Sequence, residues 1–339
     1  MAARNRVKPR PSPDLAQTLL DWYNRGHRDL PWRHTSDPYR IWVSEIMLQQ
    51  TRAQAVIPYY ERFLQSFPTI DALASAREED VLARWAGLGY YSRARNLWQT
   101  ARRIAAASAF PSEFDAIREL PGIGDYTAAA IGSIAFGLPH VVVDGNVLRV
   151  VARIENDSAD IASSRTRERF RAVAQSWLDP AHAGAFNQAL MELGATVCLP
   201  RNPLCLVCPL NSSCRAHEAG TAPQLPVKLR TAVPVQLERT VLLVRRKDKI
   251  LLRQNGKDAR HMADFWDLPS PADLPSARPG ALLGEFRHTI THHHYRIAVQ
   301  AATLSGSPPP GQAWFHADQF AGIPLSTTAR KALKLAGFL

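Results

Sequence analysis

The sequence predicts two domains in series: a mainly helical one ending in a four-cysteine loop, then a smaller α+β one. Three observations predict this. Apolar residues recur at three- and four-residue spacing over much of 14–216, the signature of helices with one buried face. All four cysteines of the 339-residue chain fall between Cys198 and Cys214. After a proline-punctuated stretch, 217–234, the pattern changes to short β-like runs that fill 235–339. The length suits two domains at about 100–200 residues each, and both are large enough to bury a core without disulfide staples.

Taken in order, residues 1–13 are basic and Pro-rich with no hydrophobic segment behind them, so they read as a disordered arm and not as a secretory signal. Helices are expected at Leu15–Tyr23, Tyr39–Leu64, Glu78–Trp85, Ser92–Ala107, Thr127–Phe136 and Arg165–Leu178. Pro223, Pro226 and Pro234 mark the linker. Thr240–Arg245 and Ile250–Arg253 flank a polar Lys-Asp-Lys turn, as in a β-hairpin. A further strand is expected over Tyr295–Leu304, and a short helix from Thr327 closes the chain.

Composition narrows the function. Lys and Arg number 41 against 30 Asp and Glu, a formal charge of +11 that points to a polyanionic partner. The most apolar stretch, Ala128–Val143, is interrupted by Gly132, Gly137, Pro139 and His140, and no apolar run reaches the roughly 18 residues of a membrane-spanning helix. Cys198, Cys205, Cys208 and Cys214 have the spacing C-x6-C-x2-C-x5-C. Two disulfides packed into so short a loop would be odd, whereas four thiolates suit one metal centre. Zinc and an iron–sulfur cluster both remain open. Only Cys205 and Cys208 form a zinc-type knuckle, and uneven spacing on a loop with Pro200, Pro203 and Pro209 favours the cluster. Either centre implies a reducing, cytoplasmic or nucleoid-associated setting.

Three motifs carry candidate chemistry. In Leu120-Pro121-Gly122-Ile123-Gly124-Asp125-Tyr126, Gly122 and Gly124 would let backbone N–H groups approach a phosphate at the start of a helix. A plain interhelical connector has the same composition. Asp144 ends the apolar run Val141-Val142-Val143 ahead of a helix, as an N-cap, as a carboxylate held in a cleft, or as both. Glu45, with Ile41 and Trp42 one turn before it and Leu48 one turn after, is either an exposed edge residue or a desolvated carboxyl suited to general-acid work.

These motifs, in this order, resemble the helix–hairpin–helix DNA glycosylases of the endonuclease III superfamily. Leu30-Pro31-Trp32-Arg33, Trp42–Thr51, Gly87–Tyr91 and Asn187–Gly194 are similar to the MutY-type adenine glycosylase family, from about Asp14 to the C-terminus. The resemblance implies a helix–hairpin–helix glycosylase domain, one 4Fe–4S cluster on the four cysteines and a Nudix-like second domain. It implies a monomer acting on double-stranded DNA that carries adenine opposite 8-oxoguanine, with no membrane partner. By the same resemblance Glu45 protonates adenine N7, Asp144 stabilises the cationic sugar, and Tyr126 and Asn146 position the two carboxylates. Trp32, Arg33, Gln188 and Met191 border the adenine pocket, Gln50 and Tyr90 wedge into the base stack, and Arg93 and Arg95 meet phosphate. Bifunctional relatives carry a Schiff-base lysine where Tyr126 stands, so strand cleavage by that route is expected to be absent.

The second domain has no glutamate-rich metal box between Gly256 and Leu304, which makes lesion recognition its expected task. Where the family has a Phe-Ser-His loop, this chain has Ile290-Thr291-His292. Thr291 keeps a hydroxyl, but Ile290 lacks the aromatic face, so weaker lesion discrimination is expected. The run His292-His293-His294 lacks the further ligands of a metal shell. Two other readings are distinguishable. A mismatch-thymine glycosylase of the same branch usually lacks the C-terminal domain, and a non-catalytic cluster-bearing DNA-binding protein is told apart by Glu45→Gln and Asp144→Asn, which abolish base release and leave DNA affinity largely intact only in an enzyme.

Overall fold

The structure is a computed structural model, and it describes residues 13–229, 235–256, 265–290 and 292–339. The chain divides into two compact units, Met1–Ile57 with Arg103–Thr231 and Pro58–Arg102 with Ala232–Leu339. This division does not coincide with the contiguous 14–216 domain expected from sequence, because segment 58–102 groups with the C-terminal residues. No helix of the described residues is long and apolar enough to cross a membrane.

The helices are α1 (Pro13–Arg25), α2 (Pro38–Leu48), α3 (Ala53–Ser66), α4 (Ile70–Ser75), α5 (Glu78–Trp85), α6 (Ser92–Ala106), α7 (Phe114–Arg118) and α8 (Asp125–Phe136). They continue with α9 (Gly145–Ile154), α10 (Ser164–Trp177), α11 (Ala183–Thr196), α12 (Arg215–Glu218) and, after the strands, α13 (Thr327–Leu335). The helix expected over Tyr39–Leu64 is two helices. The break lies at 49–52, where Gln50 takes φ +59°, a left-handed backbone that no α-helix accommodates.

In the first unit, α1 buries Leu15, Leu19, Leu20 and Tyr23 against α9, α10 and α11. Val147, Val150 and Val151 of α9, Phe170 of α10 and Phe186 and Leu190 of α11 complete this core. Each such side chain contributes about 1.5–3 kcal/mol when fully buried. The extended segment leading to Asp144 is held by two amides. Val141 N–H donates to Gln175 Oε1 and Val142 N–H to Asn187 Oδ1, both at 2.9 Å. Asn187 is fully buried, and its Nδ2 also donates to Ser133 Oγ at 2.9 Å and the His140 carbonyl at 2.8 Å.

In the second unit the strands are β1 (Val235–Arg246), β2 (Lys249–Gln254), β3 (Trp266–Asp267), β4 (Arg278–Ile290), β5 (His293–Thr303) and β6 (Gln312–His316). The sheet order is β3-β2-β1-β5-β4, with β6 also paired to β2. β1 and β5 run parallel from Val235↔His293 to Val244↔Ala302, and β1 and β2 form the expected antiparallel hairpin. Val241 and Leu243 face α13, while Leu242 and Val244 pack with Leu251 and Leu274, so four consecutive residues of β1 are buried. Segment 58–102 joins this unit partly through Tyr91, whose ring centroid lies 3.9 Å from that of Phe265.

Candidate active site

Glu45 sits in the last turns of α2. That helix starts on Asp37, which accepts from Tyr39 N–H, with Pro38 in the first helical position where its missing N–H is harmless. Ile41, Trp42, Val43, Ser44, Ile46 and Met47 are buried around Glu45, and Glu45 itself is only 5% exposed. The exposed-edge alternative is therefore excluded. Asp144 fills both of its candidate roles. It is the N-cap of α9, with Oδ1 accepting Val147 N–H at 2.7 Å, and its Oδ2 accepts Asn146 Nδ2 at 2.8 Å.

The two carboxylates line one cavity of about 620 Å³ together with Trp32, Arg33, Tyr126, Asn146, Gln188 and Met191. Tyr126 Oη donates to Glu45 Oε2 at 2.9 Å and also lies 3.6 Å from Met191 Sδ. Burial pushes the Glu45 carboxyl up to about 7, opposed by the Tyr126 hydrogen bond and reinforced by the charge of Asp144. Burial also raises Asp144 above the usual carboxylate range, and the Val147 N–H, the Asn146 side chain and amide, and Arg149 pull it back. Tyr126 is raised well above an ordinary phenol by burial and by both carboxylates, so it stays a neutral donor. The arrangement pairs a carboxyl that is half-protonated near neutrality with a second one, also raised by burial, that accepts hydrogen bonds from Val147 N–H and Asn146 Nδ2.

Sequence reading missed the residues that fix this pair. Arg149 donates to Asn146 Oδ1 at 2.8 Å and to the carbonyls of Gly194 and Cys198, both at 2.7 Å. Gly194 is required there, because a Cβ would stand 2.6 Å from Asn146 Cβ. Glu192, 2% exposed, accepts from Arg28 Nη2 at 2.6 Å and Arg33 Nη2 at 2.7 Å on the cavity wall. Burial would raise the Glu192 carboxyl, but the two arginines overcome it and hold it at about 2. Arg33 also stacks over the Tyr23 ring at 5.4 Å, and Tyr23 Oη donates to Gln188 Oε1 at 3.2 Å. The segments Leu30–Arg33 and Asn187–Gly194 contained Arg33, Gln188, Glu192 and Gly194, but no local pattern pairs Arg33 with a glutamate 159 positions away.

The hairpin glycines Gly122 and Gly124 are exposed, Gly122 at φ +77°, and Gly124 starts α8 without a side-chain cap. Gln50 is exposed between α2 and α3 and is not part of the cavity wall given by the residues above. Tyr90, Arg93 and Arg95 lie in the second unit. Tyr90 is 40% exposed at φ +49°, a strained backbone of the kind seen at functional positions. Arg93, expected to meet phosphate, is 9% exposed. Its guanidinium is buried against the Trp85 and Tyr90 rings and donates to the Gly89 carbonyl at 3.2 Å, bracing the loop. Arg95 is likewise turned to Glu78 at 2.7 Å. Thr291 lies outside the described residues, and His292 is exposed, its ring 4.1 Å from that of His293.

Cys198, Cys205, Cys208 and Cys214 are free, half-buried and arranged around one small cavity. Burial pushes the Cys208 thiol up to about 11, and the other three sulfurs add to the shift, which requires all four to be near one another. Arg153, 1% exposed, donates to Cys198 Sγ at 3.2 Å and to the carbonyls of Leu199, Ala222 and Leu225 at 2.7–3.0 Å. Four thiols facing a buried arginine, with His217 also on the cavity wall, fit an anionic cluster with cysteine ligands. Among the described residues, no three His, Cys, Asp or Glu side chains converge as ligands of a single metal ion.

Residues 43–176 match the family model of the HhH-GPD superfamily base excision DNA repair proteins. An adenine DNA glycosylase of Homo sapiens is 34% identical over 94% of this chain and 73% of its own length. One of Buchnera aphidicola is 42% identical over 81% of this chain and 82% of its own. Among solved structures, a thermostable thymine-DNA glycosylase is 29% identical with a TM-score of 0.54, covering 61% of this chain and 96% of that one. An endonuclease III in a non-covalent DNA complex, 20% identical with a TM-score of 0.51 over 60% of this chain and 94% of that one, shares the fold. The chain belongs to the adenine DNA glycosylase family of helix–hairpin–helix base excision repair enzymes.

Proposed function

We propose that this enzyme hydrolyses the N-glycosidic bond of adenine mispaired with 8-oxoguanine or guanine and leaves the DNA strand uncut. The observation that carries the reading is the pairing of Glu45–Tyr126 and Asp144–Asn146 in one cavity, with the Glu45 carboxyl poised at about 7. The bond to be broken is inaccessible in the base stack, so the adenine is extruded into the cavity. Glu45, protonated, gives its proton to N7. The C1′–N9 bond then breaks with its electron pair passing to the base, and the Asp144 carboxylate stabilises the oxocarbenium-like sugar until water adds to C1′ and loses a proton. Tyr126 orients Glu45 and has no amine with which to attack the sugar, which supports a monofunctional reaction.

Trp32, Arg33, Gln188 and Met191 border the base, and Gln50 and Tyr90 occupy the opened stack. Gly122 and Gly124 offer backbone amides to a phosphate. Cys198, Cys205, Cys208 and Cys214 would hold one 4Fe–4S cluster, which would fix the loop that offers the Cys198 carbonyl to Arg149. The second domain, Nudix-like in sequence, reads the opposite base through Ile290, Thr291 and His292. The enzyme acts as a monomer in a reducing, cytoplasmic, nucleoid-associated setting.

The pH dependence of single-turnover adenine release tests the roles. Glu45 works protonated, so the rate falls as pH rises through about 7. Asp144 works ionised, so the rate also falls on the acid side, at a pH above the ordinary carboxylate range. Tyr126→Phe removes the bond that lowers the Glu45 pKa, and the basic limb is expected to move to higher pH. A rate independent of pH between about 6 and 8, or a limb unmoved by Tyr126→Phe, would contradict the assignment.

A further inference from the structure

Residues 245–249, Arg245-Arg246-Lys247-Asp248-Lys249, are all exposed and form the reversal between β1 and β2. Their four cations stand with the single carboxylate of Asp248, itself 3.0 Å from His316 Nδ1. Both arginines are held in place. Arg245 Nε donates to the Lys247 carbonyl at 2.5 Å, and its guanidinium lies 5.6 Å over the Phe338 ring. Arg246 Nη2 donates to the Gly306 carbonyl at 2.8 Å, and its guanidinium lies 4.8 Å over the Trp314 ring. Each of these hydrogen bonds uses one of a guanidinium's five N–H donors. Lys247 sits at φ +55°, a left-handed backbone that it shares with Gln50, Tyr90, Ser108, Asn156 and Asn202.

We propose that this turn is a DNA-backbone contact that binds duplex phosphates; the inference rests on the DNA glycosylase reading above. Guanidinium forks already ordered on aromatic faces lose little freedom on meeting a phosphate and match its geometry. The exposed Ser305 and Ser307, on either side of the Gly306 carbonyl that Arg246 holds, add hydroxyls of the kind that contact DNA backbone. The binding is independent of sequence and falls steeply with salt.

The test is binding of the full-length protein to a long undamaged duplex across a salt series, with single-turnover adenine release at saturating enzyme measured in parallel. Replacing Arg245, Arg246 and Lys247 together by Gln is expected to reduce the slope of log K against log salt by about 1–3 and to weaken low-salt affinity roughly tenfold or more, with the excision rate unchanged. Lys247→Gln alone, which leaves both arginine contacts in place, is expected to reduce the slope by about 1 and keeps the test open if the triple variant fails to fold. Unchanged slopes with normal excision would overturn this inference and leave the glycosylase reading standing. Unchanged slopes together with lost retention on immobilised polyglutamate would assign the turn to an acidic protein segment and overturn it as well. Failure of the unaltered protein to bind duplex or release adenine would instead overturn the reading on which it rests.

Discussion

Glu45→Gln is expected to lower adenine release by about 10²–10⁴-fold while leaving duplex affinity nearly unchanged, the magnitude of losing a positioned general acid. The amide oxygen of Gln still accepts from Tyr126 Oη, so the wall of the cavity keeps its shape. Asp144→Asn is expected to cost about 10²–10³-fold by removing the charge that meets the developing cation. The Glu45 variant carries a second, opposite signature in stability. Its folded-state pKa of about 7 lies above the ordinary 4.5, so the folded protein binds the proton more tightly than the unfolded chain does. Stability from this group is therefore full below about 4.5 and is lost as pH rises toward about 7, an order of 3 kcal/mol at neutral pH. Glu45→Gln should consequently raise the melting temperature at neutral pH while abolishing activity. Normal excision, or a melting temperature lowered at neutral pH, would refute the account of this residue.

Glu192→Ala is the largest expected loss of stability among single changes at the cavity. It leaves Arg33, whose side chain is 8% exposed, buried beside the cavity without its carboxylate, and Arg28 loses the same partner. Removing one member of a buried pair costs about 3–5 kcal/mol, a drop in melting temperature on the order of 10 °C for a unit of this size. Glu192→Gln, which keeps an acceptor, is expected to lose less. The sign in pH is the reverse of Glu45. With the folded pKa held at about 2 against 4.5, the contribution is present above about 4.5 and disappears as pH falls through about 2. Calorimetric scans of the three proteins at neutral pH and in acid check this. An unchanged melting temperature for Glu192→Ala would contradict the assigned role.

The parts of the site legible in the sequence were those encoded locally. The cysteine spacing, the Gly122–Gly124 hairpin and the Asp144 cap each lie within one short segment, and the apolar neighbours of Glu45 follow from helical periodicity alone. What was illegible depends on long-range approach. Arg149 reaches Gly194 and Cys198 from another helix, and Glu192 joins Arg28 and Arg33 across more than 150 positions. Arg93 shows another limit of local reading. Charge in a basic protein reads as an exposed phosphate contact, but the carbonyls of a tight glycine loop and two aromatic faces hold it inside. In the fold, β4 escaped notice because most of its residues are exposed and its alternation is confined to Gly284–His288, with register shifts near Pro279–Gly284. The break after Leu48 was hidden because apolar spacing continues into α3, while the non-helical ψ of Gln49 and the left-handed φ of Gln50 interrupt the helix.

The measurement that bears most directly on the central claim is strand analysis of a labelled duplex with adenine opposite 8-oxoguanine, incubated with purified enzyme and split into samples with and without alkali. Duplexes with adenine opposite guanine and thymine opposite guanine run in parallel. The account predicts release of adenine from both of its mispairs, with the adenine strand breaking only after alkali and the thymine strand intact. Breakage without alkali would contradict the monofunctional chemistry assigned to Tyr126, and reaction of the thymine strand alone would contradict the adenine specificity itself.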